Sequence, residues 1–535
     1  MLTPDAGGHP VAAQDTPDAP AGRRTRRWIA LLIIAALSVT AVVIMMYSTD
    51  LGSGLANDSI TYIDAARNLR AGRGYVALAR DGQVRPLTDW PPLFPAAVAL
   101  VGFANADLYE AARWLNALLF GANVFLVGLF LYRWTKGLPW AAVLGSFLAL
   151  VSFNQLQIHA WAWSEPVFLF CTFLGFFVLA EWLERPRLAL LVTSGLALAG
   201  AVLTRYAGAA VAVSAVLAVL LFAAAPRAAR LRHAILLAAI TLLPLVLFSL
   251  RNRSATGGLS SMVFAIHPVF RQAARSAFYT FSSWIMPWSI SGHARWGIFL
   301  LCSGVLLVVS SFVLLRRREQ APVARGIWLL ILFVPVFIAA LVTSLTFYDV
   351  VPSLDDRILT AVFVACLVVG LYVADRLVTF YKTRSVLAVT AVALLALSIL
   401  YTAQAKQWIG RTHAETNGYA SLAWKNSETI ALLRDLPAET PILTNNNFPI
   451  DFYTGWPAVA LPYKTFLTSL LPNPTYEQET AAIKQRLLEG DGVVVIFNTI
   501  PWSTHTATLQ ELREQLSPIA VAARTRDGVI WKVSK

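Results

Sequence analysis

The chain has 535 residues, 57% of them hydrophobic and only 14% charged, with a mean hydropathy of +0.61. That is more apolar surface than a soluble core can hide, so the composition excludes an ordinary globular enzyme and describes a polytopic membrane protein. The net charge of +13 does not require a nucleic-acid partner, because the basic residues fall in short clusters between apolar runs, as in cytoplasmic loops. The three cysteines, Cys171, Cys302 and Cys366, lie within apolar runs and indicate neither a disulfide framework nor a metal cluster.

Residues 1–27 are rich in Ala, Pro, Asp and Gly and end in Arg23, Arg24, Arg26 and Arg27, which predicts a disordered cytoplasmic tail. The run at 28–47 is long enough to cross about 30 Å of hydrocarbon, and with no convincing cleavage site behind it reads as a retained anchor. Four arginines ahead of it place the N-terminus in the cytoplasm and send the polar loop at 48–110 outside. Ten further apolar runs follow, at 111–131, 138–153, 163–182, 188–203, 206–224, 234–250, 297–315, 327–347, 358–378 and 386–403, making about eleven spans. The basic loops at 133–136, 184–187, 226–233, 316–325 and 375–384 all fall on the cytoplasmic side of this topology. An odd number of spans leaves residues 404–535 outside. There, helix-like stretches (427–436, 476–488, 508–516) alternate with strand-like ones (441–444, 493–497, 529–533), which predicts a soluble extracytoplasmic α/β domain.

Charged residues are nearly absent from the middle of the spans, unlike a proton-coupled pump, and the acids gather at outer ends. In the first outer loop, 59–71 has a helical pattern stopped by Gly72 and Gly74, with Tyr62, Ala66 and Leu69 on the side of Asp58. Asp58 suits a helix N-cap as well as a catalytic carboxylate. Asp89 lies further along the loop, Glu165 opens the fourth span, where it also suits a helix start, and Asp349, Asp355 and Asp356 precede the tenth. Opposite these acids stand arginines. Arg205, beside Tyr206, occupies a tight outer turn, where it meets an anion or snorkels to lipid headgroups; Arg357 follows Asp355 and Asp356, with which it can pair locally. The outer loop 251–296 carries Arg251, Arg253, Arg271, Arg275 and Arg295 and no acid. Residues 268–286 within it read as an amphipathic interfacial helix, with Arg271 and Arg275 on one face and Phe270, Phe278, Phe281 and Trp284 in the headgroup boundary, gathering either a phosphate or anionic lipid. His267 and His293 flank it as solvated loop residues.

The order of phrases NDSITYIDAARNLRAGRGY, TDWPPLFP, SEPVFLF, LTRYAG and DDRILTAVF resembles the GT-C glycosyltransferases of the protein mannosyltransferase and aminoarabinose transferase superfamily (glycosyltransferase family 39-like) over about residues 28–400. The resemblance implies a multi-span bundle, an extracytoplasmic active site, a polyprenyl-phosphate sugar donor and inversion at the anomeric carbon. By position it makes Asp58 the catalytic aspartate and general base and Asp89 the second acid of that loop, and it brings Arg205 and Arg357 to the donor phosphate. Ser59 stands where protein mannosyltransferases carry a glutamate, which favours the bacterial lipid- or glycan-modifying branch. Some GT-C enzymes hold a divalent cation on loop acids, for which Asp58 with Asp89 are the residues here.

The reading from the sequence is therefore a multi-pass plasma-membrane hexosyl or pentosyl transferase acting on an envelope acceptor (lipid, glycan or protein). Tyr62, Glu165, Arg205, Tyr206, Arg271, Arg275 and Arg357 are its substrate-binding candidates, and membrane lipid and no nucleic acid are among its partners. The alternative is a transporter or flippase of polyprenyl-linked substrates; against it stand the missing mid-membrane charges and the lack of repeats. The topology predicts that, in intact cells, a membrane-impermeant maleimide labels a cysteine placed at Glu477 and not one placed at Arg317. The reverse labelling overturns the orientation.

Overall fold

The computed structural model describes residues 21–104, 107–135, 139–260, 262–267, 270–316, 323–349, 353–437 and 439–533; of the tail expected at 1–27, residues 1–20 lie outside them and 21–27 are helical. Helix α1 (Ala21–Ser48) begins seven residues before the predicted span, because continuing the helix through Arg26 and Arg27 satisfies backbone groups that a coil would leave open. Behind it the first loop folds as α2 (Asn57–Arg70), the hairpin β1 (Val76–Leu78) and β2 (Val84–Pro86), and α3 (Leu93–Val101). The bundle continues with α4 (Leu108–Trp134), α5 (Trp140–Val151), α6 (Phe153–Ala160), α7 (Glu165–Glu184), α8 (Leu188–Thr204), α9 (Gly208–Phe222) and α10 (Arg227–Thr256). It closes with α11 (Phe270–Ser283), α12 (Gly292–Arg316), α13 (Arg325–Phe347), α14 (Thr360–Tyr381) and α15 (Arg384–Glu415).

Each of the eleven predicted runs falls on a helix, but not every one is a full span. Among the described residues, eight helices are long and apolar enough to cross a membrane, or nine if α5 and α6, bent by 53° at their junction, together make one span. The bend has a local cause: Ser152 is extended, and its hydroxyl accepts from the Gln155 amide at 3.3 Å, capping a new helix. Helices α8 and α9, with 17 and 15 residues, are about 25 and 22 Å long, shorter than the hydrocarbon layer.

The bundle closes around fully buried rings, including Phe120, Phe130, Phe176, Phe333 and Phe337. Backbones approach closely where side chains are small: a Cβ on Gly121 would sit 2.7 Å from the Ser38 carbonyl oxygen of α1, so α1 and α4 meet along a glycine face.

No break occurs at residue 404. Helix α15 runs 32 residues, about 48 Å, and so carries the chain well past the membrane before the terminal domain begins. That domain contains α16 (Leu422–Lys425), α17 (Glu428–Arg434), β3 (Ile442–Thr444), α18 (Phe448–Thr454), β4 (Val459–Ala460), α19 (Tyr476–Glu489), β5 (Val493–Phe497), α20 (Leu509–Leu516), β6 (Ile519–Arg524) and β7 (Gly528–Val533). Its sheet has the order β4-β3-β5-β7-β6, with β3 parallel to β4 and β5 and the β5-β7-β6 side antiparallel. The expected α/β character holds. Edge strands β4 and β6 escaped the sequence pattern because the first is two residues long and the second is largely exposed and alanine-rich.

The terminal domain docks directly on the first loop. Leu55 bridges Gly418, whose φ of +59° suits glycine and where a Cβ would lie 2.1 Å from the Leu55 carbonyl oxygen. Asn57 Oδ1 accepts from the Tyr419 hydroxyl (2.9 Å) and from Asn446 Nδ2 (3.3 Å), so the start of α2 is tied to the terminal domain. His267, expected to be solvated, is buried and pairs through Nε2 with the Ser469 carbonyl at 3.0 Å.

One contact of this seam works against docking. Burial, and then the charge of Asp64 on α2, push the Asp451 carboxyl up to about 6, with Arg67 opposing. A carboxyl raised by folding destabilises the folded state above its folded value, and the penalty fades as pH falls through about 6. Asp451→Asn is therefore expected to raise Tm most at about pH 8 and by roughly half as much at about pH 5, the gain vanishing below the unfolded value, as read by scanning fluorimetry. Equal shifts at both would refute this account.

Candidate active site

Four charged side chains from four distant parts of the sequence meet at the α2 end of the bundle. Asp58 is not the cap of its helix: α2 starts at Asn57, the Ala56 amide donates to Ser59 Oγ at 3.1 Å, and Asp58 lies inside the first turn. Its Oδ1 accepts from the Ser59 amide at 2.9 Å and its Oδ2 from Arg357 Nη2. Glu165, the first residue of α7, is the buried centre, its side chain 2% exposed. Its Oε1 accepts from Arg357 Nε at 2.5 Å and from Arg205 Nη1. Arg205 follows the last residue of α8 in extended backbone and also donates to Ser164 Oγ at 3.2 Å.

Arg357 does not pair with its neighbours in sequence. Asp355 Oδ1 instead accepts the Arg357 and Ile358 amides (3.0 and 3.1 Å), while Asp356 Oδ1 accepts from Trp284 Nε1 at 2.9 Å and Asn154 Nδ2 at 3.3 Å. These bonds fix the turn before α14 and aim Arg357 at the cluster. Trp163 backs its guanidinium at 4.0 Å. Among the described residues the buried Trp163 indole N–H finds no partner. Burial alone would disfavour the charge on Arg357, but Glu165 and then Asp58 outweigh it and raise its pKa, so it is a permanent cation. Tyr62 lies buried beside the cluster, 3.4 Å from Ser164 Oγ; burial first, then the Asp58 charge, raise its hydroxyl pKa and keep it neutral.

The remaining candidates lie elsewhere. Asp89 is exposed on the wall of a cleft of about 860 Å³ between the first loop and the terminal domain. Tyr206 donates to the Thr88 carbonyl at 2.8 Å and so anchors the segment bearing Asp89; burial, then the Asp89 charge, push its hydroxyl up to about 12. Arg271 and Arg275 are exposed on α11, outside the cluster. The aromatic face of that helix is turned to protein: Phe278 stacks on Trp296 at 3.4 Å, and Phe281 and Trp284 pack on the bundle core. Arg251 and Arg295 are structural, donating to backbone carbonyls of Tyr75 and Leu87 and of Pro287 and Ile290 respectively. A divalent cation does not fit at Asp58 in this arrangement, since both carboxylate oxygens are engaged, one of them by the Arg357 guanidinium, and Asp89 is not among its partners. Sequence reasoning missed Trp163 and Asn154, touched Ser164 only through the S-E-P-V-F-L-F phrase, and assigned Trp284 to the headgroup boundary instead of to Asp356.

The bundle of long apolar helices with its helix-and-hairpin first loop and terminal α/β domain has the GT-C fold. It aligns with ArnT from Cupriavidus metallidurans bound to undecaprenyl phosphate at a TM-score of 0.57 and 14% identity, covering 96% of this chain and 98% of that one. The mycobacterial arabinofuranosyltransferase AftD aligns at a TM-score of 0.54 and 15% identity, over 95% of this chain and 40% of that one. The oligosaccharyltransferase of Archaeoglobus fulgidus, in a complex with zinc and sulfate, aligns at 0.53 and 13% identity, over 86% of this chain and 68% of that one. At these identities the likeness is one of fold. No family model matches the sequence, and no curated protein matches it.

The cluster predicts an asymmetry between its acids. Glu165→Ala leaves two guanidiniums facing each other without their shared counter-charge and is expected to cost about 3–5 kcal/mol of stability. Asp58→Asn, at the cluster's rim, is expected to cost well under half of that. Thermal unfolding in detergent reads both, and a larger loss for Asp58→Asn would refute the central role of Glu165.

Proposed function

We propose that this protein is a membrane glycosyltransferase that moves a sugar from a polyprenyl-phosphate donor to an acceptor hydroxyl on the extracytoplasmic face of the plasma membrane. The N-terminus would lie in the cytoplasm, and the first loop and terminal domain outside. The observation that carries this reading is the Asp58–Arg357–Glu165–Arg205 cluster at the bundle end. It combines one base with two permanent cations, as an anionic leaving group requires.

The acceptor oxygen attacks the anomeric carbon from the side opposite the phosphate, so the bond to the phosphate oxygen breaks as the new glycosidic bond forms, with inversion. The acceptor proton passes to Asp58, and polyprenyl phosphate departs with the bonding electron pair. Arg205 and Arg357 meet its charge, and the open indole N–H of Trp163 is a further donor in the same shell.

The pairing of Arg357 with Asp58 couples binding to catalysis. While Arg357 holds Oδ2, that oxygen is covered. A phosphate that draws Arg357 towards itself uncovers it, so the carboxylate is open to the acceptor hydroxyl when the donor is in place. Glu165 keeps Arg357 and Arg205 within reach of each other during the exchange.

Asp58→Asn is expected to lower transfer by on the order of 10²-fold or more while the protein stays folded and binds donor at least as tightly as wild type, Arg357 then being released from its carboxylate partner. The measurement is movement of label from a panel of polyprenyl-phosphate sugars into extracted envelope acceptors, wild type beside variant. Equal transfer by both proteins would remove Asp58 from the mechanism. Binding of donor without consumption by wild type would put the transport reading in its place.

A further inference from the structure

The cleft between the first loop and the terminal domain is a built site that the cluster does not use. The β1–β2 hairpin forms one wall and closes on the terminal sheet: the Arg80 carbonyl accepts from the Ala460 amide at 2.7 Å, and Arg80 donates to the Leu461 carbonyl at 3.2 Å. The Arg80 guanidinium also covers the Tyr463 ring at 4.1 Å. At about 860 Å³, the space lies within the ~300–1,000 Å³ typical of small-molecule sites.

Its chemistry is particular. Three arginines (Arg80, Arg85, Arg486) and three carboxylates (Asp81, Asp89, Glu479) line it, so it has no net charge. Most of these are already engaged: Arg85 with Asp81, Arg80 as above, and Glu479 with Asn473 and Thr475. A phosphorylated or uronic-acid polymer would meet as many carboxylates as guanidiniums. An extended peptide would seek the free edge of β4, but that edge amide is taken by Arg80. What the walls do offer is aromatic rings, those of Trp90, Phe448 and the 40% exposed Phe466, interleaved with hydrogen-bonding groups. Sugar rings present C–H faces to such aromatics and hydroxyls to such polar groups.

The cleft also leads to the cluster. Thr61, one helical turn beyond Asp58 on the same side of α2, lines it, and Trp90 stands edge-on to the buried Tyr62 at 5.5 Å. We infer that the cleft binds a neutral oligosaccharide as the acceptor, with its terminal hydroxyl delivered past Trp90 and Thr61 to Asp58. This rests on the glycosyltransferase reading for the role of the bound glycan, and on the cleft alone for its binding.

The test uses the full-length protein in detergent on an array of neutral, sulfated, phosphorylated and uronic-acid oligosaccharides, with lipid A vesicles and acidic peptides alongside. Wild type is expected to retain neutral oligosaccharides, with little response to added salt. Phe466→Ala, at an exposed ring, is expected to weaken that binding roughly tenfold, and Phe466→Trp to restore it. Retention of only charged glycans, lipid vesicles or peptides overturns the proposal, as does no retention at all or equal binding by Phe466→Ala. Neutral-glycan binding in a protein that consumes no polyprenyl-phosphate sugar would leave the cleft standing and remove the transferase reading. Donor consumption without glycan binding would do the opposite.

Discussion

Everything at the α2 end of this protein depends on one buried carboxylate. Glu165 has almost no access to solvent, and an ion of its size taken from water is costly unless charge and hydrogen bonds replace the hydration. Arg205 and Arg357 supply both, and in doing so are held close together, an arrangement that two cations would otherwise resist. Asp58 completes the balance from the side of the first loop. Two positive and two negative groups thus cancel in the absence of any ligand, and an anion entering the cluster has its counter-charges already assembled.

The supports of this cluster are polar and lie deeper in the bundle. The junction of α5 and α6 brings Asn154 and Gln155 to Thr360 and Asp356, so the bend caused by Ser152 is what lets the interior hold the turn preceding Arg357. Trp284 of the loop after α11 reaches the same Asp356. Helix α11 is therefore a brace for the cluster, its aromatic face spent on protein contacts. On the other side the terminal domain holds Asn57, immediately before Asp58, through Tyr419 and Asn446. Asp58 is thus positioned from both the helix bundle and the terminal domain, and the cleft between them opens beside it.

Length and apolar periodicity made the helices legible: the eleven runs fall where helices stand because a backbone in hydrocarbon has to satisfy its own hydrogen bonds. They did not separate full spans from the short pair α8 and α9, whose ends are set by the tight turn at Arg205. In the terminal domain the buried strand β5 was readable from its unbroken β-branched run, while β4 and β6 draw their identity from neighbours. At the site, Glu165 and Arg205 stood out as single charges beside apolar segments, where an unpaired charge is expensive, while Asp58, Asp89 and Arg357 were singled out by the resemblance. Asp89 is exposed on the wall of a cleft, where a carboxylate needs no partner.

What the sequence determined by itself is the class of molecule, the places where helices form and the short set of charges that need partners, since hydrophobic length and the cost of burying charge are local properties. Who pairs with whom was decided only by the tertiary structure. Arg357 lies 299 residues from Asp58 and 192 from Glu165 along the chain, and its adjacent carboxylates looked like the natural partners. Those carboxylates bind backbone amides and side-chain N–H donors instead, because the turn before α14 leaves amides that need acceptors and points the guanidinium away from its neighbours. Separation in sequence carries no information about such a meeting; the packing of α2, α7, α8 and α14 supplies it.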